Sequence, residues 1–261
     1  MTEANHSIKN DPSSNTADAD SILKCGEYIE DLQFNGLRII LSRELPSFTT
    51  DAVLLSDFAR VKQSDTIADL GTGTGIIALL MYGRYAMKAV GFEIQEQLCD
   101  MASRSFILNG LHTQLRAVHM DYREAYSFYN GKFSAVVCNP PYYDSTDITS
   151  PDPSRAVTRT KVNCPINEIT LSSTRILKSG GKLFMCYPAA QLCDLICALR
   201  EAALEPKKLR FVRSRRDKTP YIVLAEARKD GGRGITYNPD LILLNNDGTE
   251  TEELRKIYHR T

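Results

Sequence analysis

The chain has 261 residues, 43% of them hydrophobic and 25% charged, with 32 basic side chains balanced by 32 acidic ones. That length supports one large domain with a full core or one domain with an added lobe; no apolar run reaches membrane-spanning length, and residues 1–20, with four acids, one Lys and no apolar core, have the character of neither a signal peptide nor a presequence. Seven scattered cysteines, without Cys-x-x-Cys and without a His at metal spacing, argue for reduced, mostly buried thiols in a cytoplasmic protein with no metal, Cys193 and Cys197 filling core from one helix face.

Residues 1–24 read as a disordered, solvated tail. The rest, 25–261, reads as a single domain: an N-terminal hairpin (25–50), a core (51–233) and a C-terminal docking segment (234–261). Phe34-Asn35-Gly36-Leu37 between apolar residues is a strong short-range hairpin signal. In Phe48-Thr49-Thr50-Asp51-Ala52-Val53-Leu54-Leu55 a Thr or Asp can cap a helix that buries Val53, Leu54 and Phe58, at a turn expected over the ligand end of the next element. From Thr66 the rhythm becomes strand, Gly-rich turn, helix. Strands are expected over 66–70, 88–93, 115–119, 133–138 and 181–187, with helices over 76–82, 95–109, 166–177 and 189–202. An antiparallel pair, 208–213 with 221–227, follows, then a docked strand at 241–244 and a last helix with a Thr-x-x-Glu capping box at Thr249 and Glu252. Alternating strands and helices predict an α/β fold with a doubly wound, mostly parallel sheet.

Asp69-x-Gly71-x-Gly73-x-Gly75 lets the backbone approach a ligand at a helix N-terminus, because glycine has no Cβ in the way. A nicotinamide loop needs Gly-x-Gly-x-x-Gly, whose last position falls here on Ile76. Glu93, at the carboxyl end of the second core strand, is placed to accept both hydroxyls of a ribose, and Asp121, after the third, to accept from an adenine amine. Together these residues make a nucleoside-shaped set, and the missing phosphate-binding glycine points to an adenosyl ligand without a pyrophosphate.

The fourth core strand runs into Asn139-Pro140-Pro141-Tyr142. Two prolines fix φ and cannot donate, which produces a stiff loop with free carbonyls. The side-chain oxygen of Asn139 and the main-chain oxygen of Pro140 suit the two hydrogens of a planar NH₂, stabilising the positive charge that grows as the nitrogen attacks a carbon electrophile. Tyr142 is placed to stack on the ring that carries the amine. The neutral total conceals a basic stretch, seven Lys/Arg against one acid over 207–218, where a polyanion can bind.

This order of motifs resembles the class I S-adenosylmethionine-dependent methyltransferases: residues 69–75 match their cofactor loop, Glu93 their ribose acid and Asp121 their adenine contact. Asn139-Pro140-Pro141-Tyr142 matches the amine-methylating branch, whose members modify adenine N6, cytosine N4, guanine N2 or glutamine N5. The resemblance implies S-adenosyl-L-methionine as cofactor, a Rossmann-like seven-stranded sheet of order 3-2-1-4-5-7-6, and one crevice shared by the two loops. Within the branch the chain from Tyr28 on resembles the tRNA(Val) adenine-N6 methyltransferases, with Thr50 and Asp51 in the segment that closes over the cofactor. It departs from them where Ala156-Val157-Thr158 replaces Ala-Arg followed by His or Tyr. A tRNA partner is implied, with Arg155, Arg159, Lys161, Lys207, Lys208, Arg210, Arg213, Arg215 and Arg216 as candidate phosphate contacts. Glutamine-N5 methylation of a protein, rRNA amine methylation and a non-catalytic RNA-binding module are the alternatives.

Overall fold

A computed structural model of the protein describes residues 21–45, 47–141 and 166–260. Of the disordered tail expected over 1–24, residues 1–20 lie outside the described residues, as do Tyr142, Arg155, Arg159, Lys161 and Cys164; residues 21–24 correct that expectation, because the Ile22 carbonyl accepts from Arg104 and Lys24 pairs with Asp100. The first elements are β1 (Glu27–Asp31) and β2 (Arg38–Ser42), paired antiparallel from Glu27 with Ser42 to Asp31 with Arg38. Their connection is wider than a two-residue Asn-Gly turn: Leu32 N donates to Leu37 O, and Asn35 and Gly36 both take positive φ. The reason is docking. Asn35 donates to the carbonyl of Gly83, and Phe34 stacks on His259 with ring centroids 3.7 Å apart. A Cβ at Gly83 would stand 2.5 Å from the Phe34 ring, so that glycine makes room for the hairpin tip.

Then come α1 (Thr50–Phe58), β3 (Thr66–Leu70), α2 (Ile76–Tyr85), β4 (Lys88–Glu93), α3 (Glu96–Leu108), β5 (Leu115–His119), the short α4 (Tyr126–Tyr129) and β6 (Phe133–Cys138). After the undescribed segment follow α5 (Ile166–Ile176), β7 (Leu177–Pro188), α6 (Leu192–Glu201), β8 (Leu204–Arg213), β9 (Ile222–Lys229), the two-residue strands β10 (Thr236–Tyr237) and β11 (Leu241–Ile242), and α7 (Glu252–Ile257). The seven long strands lie in the order β5-β4-β3-β6-β7-β9-β8, all parallel except β9, which is the order 3-2-1-4-5-7-6. The sheet has nine strands instead of seven, because β10 and β11 add to the outer edge of β8. Both cover an edge that would otherwise present unpaired backbone groups.

Alternation along the strands sends side chains to two cores, as a sheet covered on both faces requires. Ile67, Val137, Phe184 and Leu224 pack with α1, α2, α3 and α7 on one face; Leu70, Val136, Met185 and Val223 pack with α5 and α6 on the other. The cysteine expectation needs correction. Cys99, Cys138 and Cys186 are buried, but Cys193 and Cys197 are exposed with Cys25, because the buried stripe of α6 runs through Leu195, Ala198 and Leu199 and leaves positions 193 and 197 on the opposite face. The last helix is capped by Thr251, whose hydroxyl accepts from Leu254 N, and not by Thr249, which bonds Asp247. Among the described residues no helix is long and apolar enough to cross a membrane.

Side chains of α3 hold the hairpin against the core. Ser105 accepts from Ile40 N, Asn109 accepts from Arg38 N and donates to its carbonyl, and Arg104 grips Glu27 with two bonds of 2.6 and 2.7 Å. The Arg104 bonds hold the Glu27 carboxyl below the usual carboxylate range. The two side chains are 12% and 3% exposed, between the surface and buried regimes. Arg104→Ala is therefore expected to cost about 2 kcal/mol, read as a lower urea midpoint at unchanged slope.

Candidate active site

The register of three adjacent strands places both loops at one edge. Leu70 of β3 pairs with Cys138 of β6, and Cys138 with Met185 of β7; the next residues are Gly71, Asn139 and Cys186. The glycine turn and the Asn-Pro-Pro segment thus leave the carboxyl ends of neighbouring strands at the point where strand order reverses, the location where open α/β sheets form a ligand crevice.

The glycines of the turn divide into two kinds. Gly71 and Gly73 have φ of +69° and +57°, and a Cβ on either would meet nothing within 4 Å; the chain is open on that side. At Gly75, with φ +89°, a Cβ would lie 2.8 Å from the Phe106 ring, so its side faces the core and brings α2 close to α3. The turn is pinned from behind: Gly71 N and Thr72 N both donate to Phe92 O, and Gly73 N donates to a Glu93 carboxylate oxygen at 2.9 Å. The other Glu93 oxygen accepts from Gln95 N at 2.9 Å, and the side chain is buried.

Asp69 is fully buried; one oxygen accepts from the Thr72 hydroxyl at 2.7 Å, and the other has no hydrogen-bond partner. Burial above all, opposed by the Thr72 bond and aided by the nearby Glu93 charge, pushes its carboxyl up to about 7. Between the ordinary value of 3.8 and about 7 the folded state holds this proton more tightly than the unfolded chain does. Stability falls as pH rises through that window and levels off above it, each unit being worth about 1.4 kcal/mol. Asp69→Asn is expected to flatten this slope in urea titrations between pH 4 and 7.

An open glycine cradle, a buried carboxyl oxygen without a partner and a carboxylate at the next strand end together fit an adenosyl ligand that bears a cationic group. Asp121 is less available. Arg123 clasps both of its oxygens and also reaches Glu168, and the Arg123 bond holds the Asp121 carboxyl below its usual range. Thr50 and Asp51 begin α1. Neither Thr49 nor Asp51 closes the helix end with a side-chain bond; Asp51 instead accepts from the Tyr221 hydroxyl at 3.2 Å, and burial raises its carboxyl.

Asn139 is half-buried and Pro140 buried. The Asn139 side-chain oxygen accepts from the Cys186 thiol at 2.7 Å. His119 faces the carbonyl of Ile94 at 3.0 Å. Of the basic stretch, Lys208 meets Glu226, Arg210 meets Glu253 and Arg213 meets Asp240, while Lys207 donates to the carbonyl of Gly232. Arg215 and Arg216 are exposed.

Sequence reading missed several contributors. Gly91 sits in β4 where a Cβ would lie 2.7 Å from Thr72; a glycine inside a strand was the available signal, and it admits the threonine that anchors Asp69. Cys186 and Tyr221 carried no local signal, since their partners Asn139 and Asp51 are 47 and 170 residues away.

A model of the family described as "Methyltransferase small domain" matches residues 48–201. The chain is 27% identical over 177 residues to a Parabacteroides distasonis protein named tRNA1(Val) (adenine(37)-N6)-methyltransferase, which covers 68% of this chain and 74% of that one. It is 24% identical over 217 residues to a protein of the same name from Dyadobacter fermentans, covering 80% and 89%. Among solved structures, a predicted O-methyltransferase from Agrobacterium tumefaciens superposes with a TM-score of 0.67 at 17% identity, over 81% of this chain and 97% of the other.

Proposed function

From a chain that belongs to the methyltransferase small domain family, we propose an enzyme that methylates the exocyclic N6 amine of an adenine in tRNA with S-adenosyl-L-methionine as donor. Its target is taken to be the anticodon-loop position, adenine 37 of tRNA1(Val), named for the relatives, and its compartment the cytoplasm. The observation that carries this reading is the pairing of Leu70 with Cys138, which sets the glycine turn and Asn139 side by side on adjacent strands.

When bound, the donor supplies a methyl group that is already electrophilic. The chain's task is therefore alignment more than acid or base chemistry, and holding the reactants in near-attack geometry can supply on the order of 7 to 11 kcal/mol. Gly71 and Gly73 leave room along the backbone, Glu93 offers carboxylate oxygens to a ribose, and Asp69 offers its unpartnered oxygen to the ligand's positive charge. The Asn139 side-chain oxygen and the Pro140 carbonyl accept the two amine hydrogens and stabilise the cation that forms on nitrogen. No general base precedes transfer, because the proton leaves only after the nitrogen has become cationic. An adenine stacked in RNA hides its amine, so the base must be turned out into the crevice, where Tyr142 is the candidate stacking partner.

The test is mass spectrometry of tRNA nucleosides from cells with and without the gene, with loss of N6-methyladenosine as the expected result. Labelled donor offered in parallel to tRNA and to a cytosolic protein extract separates this reading from methylation of a glutamine amide; label appearing only in protein sinks the RNA assignment.

A further inference from the structure

The basic stretch 207–218 is continuous in sequence but does two different jobs in the fold. Within β8 the cations are neutralised by acids that come from elsewhere: Lys208 faces Glu226 of β9, Arg210 faces Glu253 of α7, and Arg213 faces Asp240 just ahead of β11. Arg210 also donates to the carbonyl of Pro239. Two of these three pairs fasten the C-terminal segment to the sheet edge, and Arg210 is drawn in to 15% exposed. Past Arg213 the situation changes. Arg215 and Arg216 are fully on the surface, and among the described residues neither has an acidic partner; Lys218 has only a loose 3.8 Å contact with its neighbour Asp217.

Topology puts these free charges at the catalytic edge. β8 runs parallel to β7, so its carboxyl end and the connection to β9 emerge on the side where Gly71 and Asn139 emerge. The connection is tied there by Tyr221, whose N–H donates to Val212 O and whose carbonyl accepts from Ala189 N just after β7. Tyr221 is 40% exposed and its hydroxyl donates to Asp51 at the start of α1. Arg216 also borders a groove of about 620 Å³ lined with Leu244, Asn245, Asn246 and Asp247. Leu244 N donates to Ser214 O, which places the groove at the same edge.

We infer that the β8–β9 connection, through Arg215 and Arg216, is the surface that grips the RNA backbone beside the target nucleotide, and that Arg210 and Arg213 are clamps for the C-terminal segment and take no part in RNA binding. This rests on the proposed RNA substrate. Exposed cations without protein partners release counterions when they meet phosphate, whereas paired ones must first break an internal bridge.

The experiment compares Arg215→Glu/Arg216→Glu with Arg210→Gln/Arg213→Gln in the full chain, measuring tRNA affinity by filter binding across salt, methyl transfer, donor affinity and thermal unfolding. The loop variant is expected to raise KM for tRNA about tenfold or more and to lower the slope of log affinity against log salt by about 2, with donor affinity and melting unchanged. The strand variant should melt earlier at an unchanged salt slope. An unchanged slope in the loop variant, or a reduced one in the strand variant, overturns the inference, as does a wild-type enzyme that does not bind tRNA. If the wild type binds tRNA with the expected slopes but forms no N6-methyladenosine, the failure belongs to the proposed reaction and not to the surface.

Discussion

Asn139→Ala is expected to lower kcat for methyl transfer by about 10² to 10³-fold while the donor's affinity stays within about twofold. The loss should fall on kcat because the amide oxygen matters most when charge grows on the attacking nitrogen, and a preorganised acceptor contributes there at no reorganisation cost. Folding should survive. The side chain is half-buried at a loop, and its bond from the Cys186 thiol involves a weak donor. The Pro140 carbonyl belongs to the main chain and remains, which is why residual transfer above background is expected. Isothermal titration of the donor and single-turnover transfer to tRNA check the two halves separately; parallel collapse of both would mean that the alanine disrupts the loop and that the chemistry has not been tested.

Glu93→Ala should act on the other substrate. Its carboxylate closes two bonds of 2.9 Å, to Gly73 N and Gln95 N, from a buried position at the end of β4. Charge-assisted bonds of this kind contribute about 1.5 to 3 kcal/mol each, and the same oxygens are the candidate ribose acceptors. Donor affinity is expected to drop about 30- to 100-fold, with a loss of about 2 kcal/mol in unfolding free energy as the glycine turn loses its anchor. Glu93→Gln keeps one acceptor oxygen and should fall between the two. A donor affinity equal to wild type in a folded Glu93→Ala protein would remove Glu93 from the cofactor site.

Together the two variants split the crevice into its halves, one failing in turnover and the other in donor binding. Such a split is what a site built from two loops on adjacent strands should produce. A site built on one loop would lose both properties with either change.

The elements that sequence reading placed well are those whose signal is local. β3, β4 and β6 are short apolar runs, the turn after β3 needs glycine at positive φ, and the antiparallel β8–β9 pair joins two strand-like segments across a short basic connection. The candidate ligand residues Asp69, Glu93 and Asn139 were legible for the same reason, since each stands where a strand ends or within its last turns. What failed was local reasoning about distant partners. The Thr-x-x-Glu spacing favours Thr249 as the cap, but the Leu243 carbonyl takes Thr251 N and the helix starts after Thr251. Cys193 and Cys197 share a face whose direction depends on how α6 lies against β8.

By itself, then, the order of residues determined the strand and helix sequence, the glycine turn and the position of the Asn-Pro-Pro segment proposed to hold an amine, because backbone geometry and periodicity are written in neighbouring residues. Only the tertiary structure decided that Gly75 serves packing while Gly71 and Gly73 stay open, that Arg123 occupies Asp121, and that β8's arginines hold the C-terminal segment while the next two are exposed with no acidic partner among the described residues. Each of those outcomes turns on a partner from a different element, and the energy of burying or pairing a group is set by what reaches it in space.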